Sequence, residues 1–422
     1  MRTTSLIAPE FLAGSELKGF IAGAGAPVDS YENHAFLRAL TLHPEATEIA
    51  VLADLLNEYL PACLGARKQN SAKKTIEVHL AFILLNLAYC TLTRQFLVVP
   101  MTKSEYSTNY FLKQFSYRAV RAVLDGLCFV GVLTKFKGAK YSSEPMATRY
   151  WPSTELQLKL ISLALCAQEP FVPPYVEIRQ PFEDWQGVFS KPEMAELEQI
   201  NKFMIEHAWA CKGPVRLKYK GDIFHSGRLY TRFQNLPSRK IPIRQNTLIN
   251  GEPICEVDYS ANHLRLALAM MTGEDAGEDP YQEIGDACHL LRSEIKEFFT
   301  KAIGADSKEK AFSAMYISRM TKAKIEIIER AFLQRFPAIP LYEGLGTNLQ
   351  SIEGAIMKEI MLRGVKDQIV ALPIHDAVAV QAKHRAWAES VMTEVWLWNA
   401  GRAGCMAYPR VKASRAVIKH QA

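Results

Sequence analysis

Residues 254–260 read Ile-Cys-Glu-Val-Asp-Tyr-Ser, and residues 369–380 read Ile-Val-Ala-Leu-Pro-Ile-His-Asp-Ala-Val-Ala-Val. In the first stretch the apolar run from Ile254 to Val257 predicts a short buried strand that carries Asp258 at its end. Beyond it Leu264, Leu266, Leu268 and Met271 take up helical spacing. In the second, an extended run leads to His375-Asp376 and returns as Ala377 to Val380, which predicts a hairpin with an acid at its tip. Two carboxylates delivered to strand ends suit a pair of magnesium ions, hard cations that take oxygen ligands and bridge substrate phosphates. In phosphoryl transfer the protein supplies position and charge rather than covalent steps. An isolated Asp-Tyr-Ser or His-Asp equally suits a helix cap or a turn.

The surrounding chain has 422 residues, 49% hydrophobic and 22% charged, enough for two or three packed units without covalent staples. Its net charge of +6 fits a phosphate-bearing partner and fits a slightly basic enzyme equally well. Eight cysteines stand singly, with no C-x-x-C spacing, which argues against a zinc ribbon or a redox dithiol and fits a reducing compartment. Glu10 and Glu16 interrupt the first apolar runs, so no signal-peptide pattern forms. The longest apolar stretch, residues 78–92, is shorter than a membrane span. The expected setting is the cytoplasm, with no membrane partner.

Residues 1–70 read as a helical extension, clearest over residues 45–60. Within 71–169, helices are expected over residues 75–92 and 117–127, the second burying Val120, Val123 and Leu124. Gly131 stops that helix. A strand over residues 132–136, a turn at residues 137–140 and an extended run to Pro152 follow. Helices followed by a basic hairpin suggest a winged helix-turn-helix, with Arg118, Arg121, Lys135, Lys137 and Lys140 toward duplex phosphates. A small helical domain with a solvated basic face accounts for the same residues. In 170–220 the proline-rich residues 170–181 read as a linker and domain boundary. Residues 191–211 read as one amphipathic helix burying Met194, Leu197, Ile200, Phe203, Met204 and Ala208.

Residues 225–245, HSGRLYTRFQNLPSRKIPIRQ, precede the first acid, and residues 256–271, EVDYSANHLRLALAMM, contain it. Within them stand Gly227-Arg228-Leu229, Gln234-Asn235-Leu236-Pro237 and Asp258-Tyr259-Ser260. Later come Lys308, Phe312 and Tyr316 spaced by four, then QSIEGAIMKEIM at residues 350–361, then Ile374-His375-Asp376. In this order the elements resemble those of the family A DNA polymerases, the group of bacterial DNA polymerase I. The resemblance implies an α+β fold: a right-hand palm with an antiparallel sheet over 221–422, a helical fingers insertion at about 279–343, and a thumb-like helix within 170–220. It implies a template-dependent nucleotidyltransferase, a DNA-directed DNA polymerase acting on a DNA primer-template with nucleoside triphosphates. No paired acids at strand ends precede Pro170, so proofreading is not expected, and a phage or mobile element is the expected setting.

By the same resemblance, Asp258 and Asp376 hold two Mg²⁺ ions with the backbone carbonyl of Tyr259. Lys308 neutralises the triphosphate, Phe312 and His263 line the sugar pocket, and Tyr316 stacks near the templating base. Arg228, Gln234, Asn235, Arg239 and Gln350 grip primer and template. His375 braces the primer-end phosphate or simply satisfies its turn. Three positions depart from the family: His263 replaces a glutamate that excludes the ribose 2′-hydroxyl, Ala377 replaces a glutamate after His-Asp, and Gly304 stands where an arginine precedes the lysine, with only Lys301 nearby. These departures keep open an RNA-synthesising polymerase or primase, against which Phe312 argues, because the phage-type RNA polymerases carry a tyrosine there. They also keep open a catalytically silent nucleic-acid-binding replication protein. Against that last reading, two close carboxylates repel one another without cations.

Overall fold

Alternation along Glu252–Tyr259 decides the layout of the C-terminal half. Cys255, Val257 and Tyr259 are buried, whereas Asp258 is exposed on the opposite face, beyond a Glu256 held by Arg244. The Tyr259 hydroxyl donates to the carbonyl of Met392 at 2.6 Å, fixing that strand to the Arg385–Ala400 helix behind it. A computed structural model describes residues 6–8, 11, 15–22, 25–27, 34–43, 46, 48–65, 70–138, 147–179, 191–223, 225–400 and 407–414. Lys140, Pro181, Glu10 and Cys405 lie outside the described residues. The fold mixes helices with several small sheets.

The sheet that carries both acids runs Leu248–Ile249, Glu252–Tyr259, Ala377–Gln381, Leu372–Ile374, each neighbour antiparallel. Val411–Ala413 pairs with the free edge of Glu252–Tyr259 and sets Lys412 opposite Asp258. Asn262–Met271 follows the first acid through Ala261, whose φ of 54° turns the chain sharply. Four helices, Pro280–Cys288, Arg292–Gly304, Lys308–Ile317 and Lys322–Arg335, then close around Phe298, Phe299, Phe332 and Phe336. Leu345–Asp367 returns the chain to the sheet.

In the N-terminal half, Tyr117–Phe129 buries Val120, Val123 and Leu124, and the hairpin Leu133–Phe136 with Arg149–Pro152 follows. Phe96–Val98 and His34–Phe36 extend that hairpin to four strands. Arg118, Arg121, Lys135 and Lys137 are exposed. The helix expected over residues 75–92 spans Asn70–Thr93, so it is long and apolar enough to cross a membrane by length and composition. Most of its apolar window is buried inside the fold, where Asn86 donates to the carbonyls of Arg38 and Phe82.

Three expectations are corrected. The supposed linker contains a strand, Val176–Arg179, which pairs parallel with Arg216–Lys220, itself antiparallel to Arg228–Tyr230. Its partner lies forty residues on, a pairing no local pattern announces. The long helix ends at Met204 rather than continuing to residue 211, and Met194 is 51% exposed. Beyond it Ala208 exchanges hydrogen bonds with Asn250, and Trp209 is buried to 1%, so tertiary contacts override the helical pattern. Nor is the N-terminal segment a helical extension alone: Ile7 is buried and bridges Thr247 in the other half.

Candidate active site

Asp258 lies in register with Ala377, and the Tyr259 amide donates to the Asp376 carbonyl at 3.4 Å, so the two acids are neighbours across adjacent strands. His375 holds the left-handed φ of 55° that the tight turn needs. Burial and the charge of Asp376 push the Asp258 carboxyl up to about 7, and burial with Glu353 pushes Asp376 up to about 6. Both groups resist ionising because each would add negative charge beside other carboxylates in a partly buried position. A cation relieves that strain. Among the described residues no cluster of three or more His, Cys, Asp or Glu side chains forms a metal cage. Two carboxylates and nearby main-chain oxygen fit Mg²⁺, which commonly binds through one or two carboxylates and completes its shell with water and phosphate.

A cleft of about 290 Å³ opens at Asp258, lined also by Tyr259, Ser260, Ala261, Asp279, Arg292, Lys296 and Lys412. Arg292–Gly304 buries Ile295, Phe298, Phe299 and Ala302, which leaves Arg292 and Lys296, one turn apart, on the face toward the cleft. Asp279 fixes Arg292 through contacts of 3.0 and 2.8 Å to Nε. Lys296 is exposed and forms no ion pair among the described residues, and its charge draws both acid carboxyls back toward the ionised form. Three cations thus share the cleft with two carboxylates, Asp258 and the Asp279 that holds Arg292.

Lys308, Phe312 and Tyr316 share the Lys308–Ile317 helix as expected, but none lines this cleft. Lys308 is paired with Glu329 at 2.8 Å and lies over the rings of Phe312 and Tyr342. Tyr316 is 46% exposed. Lys301 is held by Glu297 and the Ala314 carbonyl. The sequence reading missed Arg292, Lys296 and Lys412. The available signal was the pair of cations four residues apart, Arg292 and Lys296, on one face of an amphipathic helix.

Beside Asp376, Glu353 is 2% exposed, with its oxygens 2.8 Å from Arg228 Nε and 2.9 Å from His263 Nε2. Burial opposes its ionisation, yet His263 and Arg228 hold its carboxyl below the usual range. His375 is held below the ordinary histidine range by burial and then by Arg228. Gly354 makes this node possible: a Cβ there would lie 1.7 Å from the carbonyl oxygen of Gly227, backbone against helix. Gly354→Ala is expected to cost roughly 1–3 kcal/mol or more as the helix is forced off the turn. Denaturant unfolding checks this, and wild-type stability in the variant would refute the contact.

The expected nucleic-acid contacts divide. Gln234 is buried with its carbonyl on Arg244, which also grips Glu256 in a two-pronged pair at 2.7 and 3.1 Å. Asn235 donates to the Tyr89 hydroxyl at 2.9 Å, tying the two halves together. Arg239 is exposed and Gln350 is half-buried. Deep beneath the site, Arg265 is 1% exposed and donates to the carbonyls of Ser260, Gly277 and Glu278, bracing the chain after Asp258.

No protein-family model and no curated protein matches the chain. Among solved structures, it is similar to the polymerase domain of Pol1 from M. smegmatis in complex with DNA primer-template and dNTP. The TM-score is 0.31 at 13% identity, covering 86% of this chain and 72% of that one.

Proposed function

We propose that the chain is a template-dependent nucleotidyltransferase of the family A DNA polymerase kind, without proofreading. The observation that carries this reading is the cleft in which Asp258, beside Asp376, faces Arg292, Lys296 and Lys412. Asp258, Asp376 and the Tyr259 carbonyl would hold Mg²⁺, whose charge supports attack by a hydroxyl and departure of pyrophosphate. Lys296 and Arg292 meet the triphosphate, taking the part the sequence assigned to Lys308. His263, anchored by Glu353, borders the sugar, and Arg228 with Arg239 and Gln350 positions the primer and template.

In this reading the five strands around the acids act as the palm, the helices between Pro280 and Arg335 as the fingers, and Lys191–Met204 as a thumb-like element. The exposed Arg118, Arg121, Lys135 and Lys137 beside a helix and hairpin support duplex contact by a winged-helix unit. Primer extension by the purified chain with Mg²⁺ tests the proposal, with deoxyribonucleotides and ribonucleotides in separate arms on DNA and RNA templates. Metal-dependent extension is expected, with deoxyribonucleotides preferred. Extension with ribonucleotides alone makes it an RNA-synthesising enzyme. Tight nucleic-acid binding with no incorporation in any arm overturns the proposal in favour of a silent replication protein.

A further inference from the structure

A second and larger concavity lies away from the acids, where the N-terminal half meets the Arg216–Lys220 and Arg228–Tyr230 strands. It encloses about 690 Å³, and its lining includes Phe36, Arg38, Phe111, Lys218, Lys220 and Tyr230. We infer that this cavity binds unpaired bases of a single-stranded nucleic acid.

The lining has the two ingredients that such binding needs, flat rings and positive charge. Phe36 stands at the rim with 42% of its surface exposed. Phe111 lies under the Arg38 guanidinium at 4.0 Å and has Arg216 at 5.2 Å, so its ring is fixed in orientation before any ligand arrives. Lys218 lies 5.3 Å from the Tyr230 ring centre. Three cations in the lining, Arg38, Lys218 and Lys220, stand against one carboxylate, Glu177. That excess favours a phosphate backbone over a peptide or a neutral ligand.

The concavity selects the single strand. A duplex keeps its base faces stacked inside the helix and offers a recessed ring only its sugars and phosphates, whereas an unpaired strand can turn bases onto the rings. The site needs no catalysis, so it does not rest on the polymerase reading.

The test is fluorescence anisotropy of the full metal-free chain with labelled oligo-dT, oligo-rU and a blunt hairpin duplex. F36A/F111A is expected to weaken oligo-dT or oligo-rU binding about tenfold while leaving hairpin binding unchanged. F36W guards against a folding defect in that double variant: the oligonucleotide should quench its added fluorescence beyond the wild-type change. Unchanged oligonucleotide affinity together with no extra quenching overturns the inference. So does displacement by dTMP as effective, per mole, as displacement by the oligonucleotide, because the cavity would then be a mononucleotide site. Wild-type binding measured beside primer extension separates the two proposals: binding without extension defeats only the polymerase reading.

Discussion

Asp258→Asn and Asp376→Asn are each expected to cut metal-dependent incorporation by roughly 10³-fold or more. The same changes should make the metal-free protein more heat-stable than wild type at pH 8. Both effects come from one cause. In the folded protein the pair holds protons up to about 7 at Asp258 and about 6 at Asp376, whereas unfolded aspartates ionise near about 4. A raised folded value means the folded state binds more protons than the unfolded state between these limits. The pair's contribution to stability is therefore fully present below about pH 4 and is lost as pH rises through about 6 to 7. Asparagine stays neutral and removes that loss.

Mg²⁺ should restore wild-type stability at pH 8 and have little effect at pH 5, where protons compete for the same oxygens. Calorimetry at both pH values, with and without Mg²⁺, measures this alongside extension. An asparagine variant that still extends primers would remove that acid from the reaction, and one less stable than wild type at pH 8 without metal would refute the raised carboxyl values.

The strand that ends at Asp258 and the hairpin that carries Asp376 were legible because their signals are local: an apolar run from Ile254 to Val257 and a second run that turns back at His375. The rest of the site depends on contacts between distant residues. Glu353 sits in a helix where a carboxylate ordinarily reads as solvated, and only the fit of Gly354 on Gly227 lowers it between Arg228 and His263. Lys412 belongs to a strand of three residues, too short to show alternation, and reaches Asp258 through pairing across more than 150 positions. The end of the helix at Met204 and the strand Val176–Arg179 were hidden for the same reason, since Asn250 and Arg216–Lys220 decide them from afar. A spacing of four places side chains on one face of a helix, but it does not say which face meets the acids.

That last ambiguity separates Lys296 from Lys308. Lys296→Ala is expected to lower kcat/KM for the nucleoside triphosphate on the order of 10²-fold, chiefly through a raised KM, because it removes a cation that lines the acid cleft. Lys308→Ala should change the same ratio by less than about fivefold. Its ammonium is half-exposed and already engaged by Glu329, and an exposed ion pair is worth at most about 1 kcal/mol. Steady-state extension at varied nucleotide concentration distinguishes them. A larger loss at Lys308 would mean that the Lys308–Ile317 helix swings over the acids when nucleotide binds, with Arg292–Gly304 as its support. A larger loss at Lys296 assigns the triphosphate to the helix that the described arrangement already turns toward Asp258, and it makes the Lys-Phe-Tyr spacing at 308, 312 and 316 a coincidence of helical periodicity.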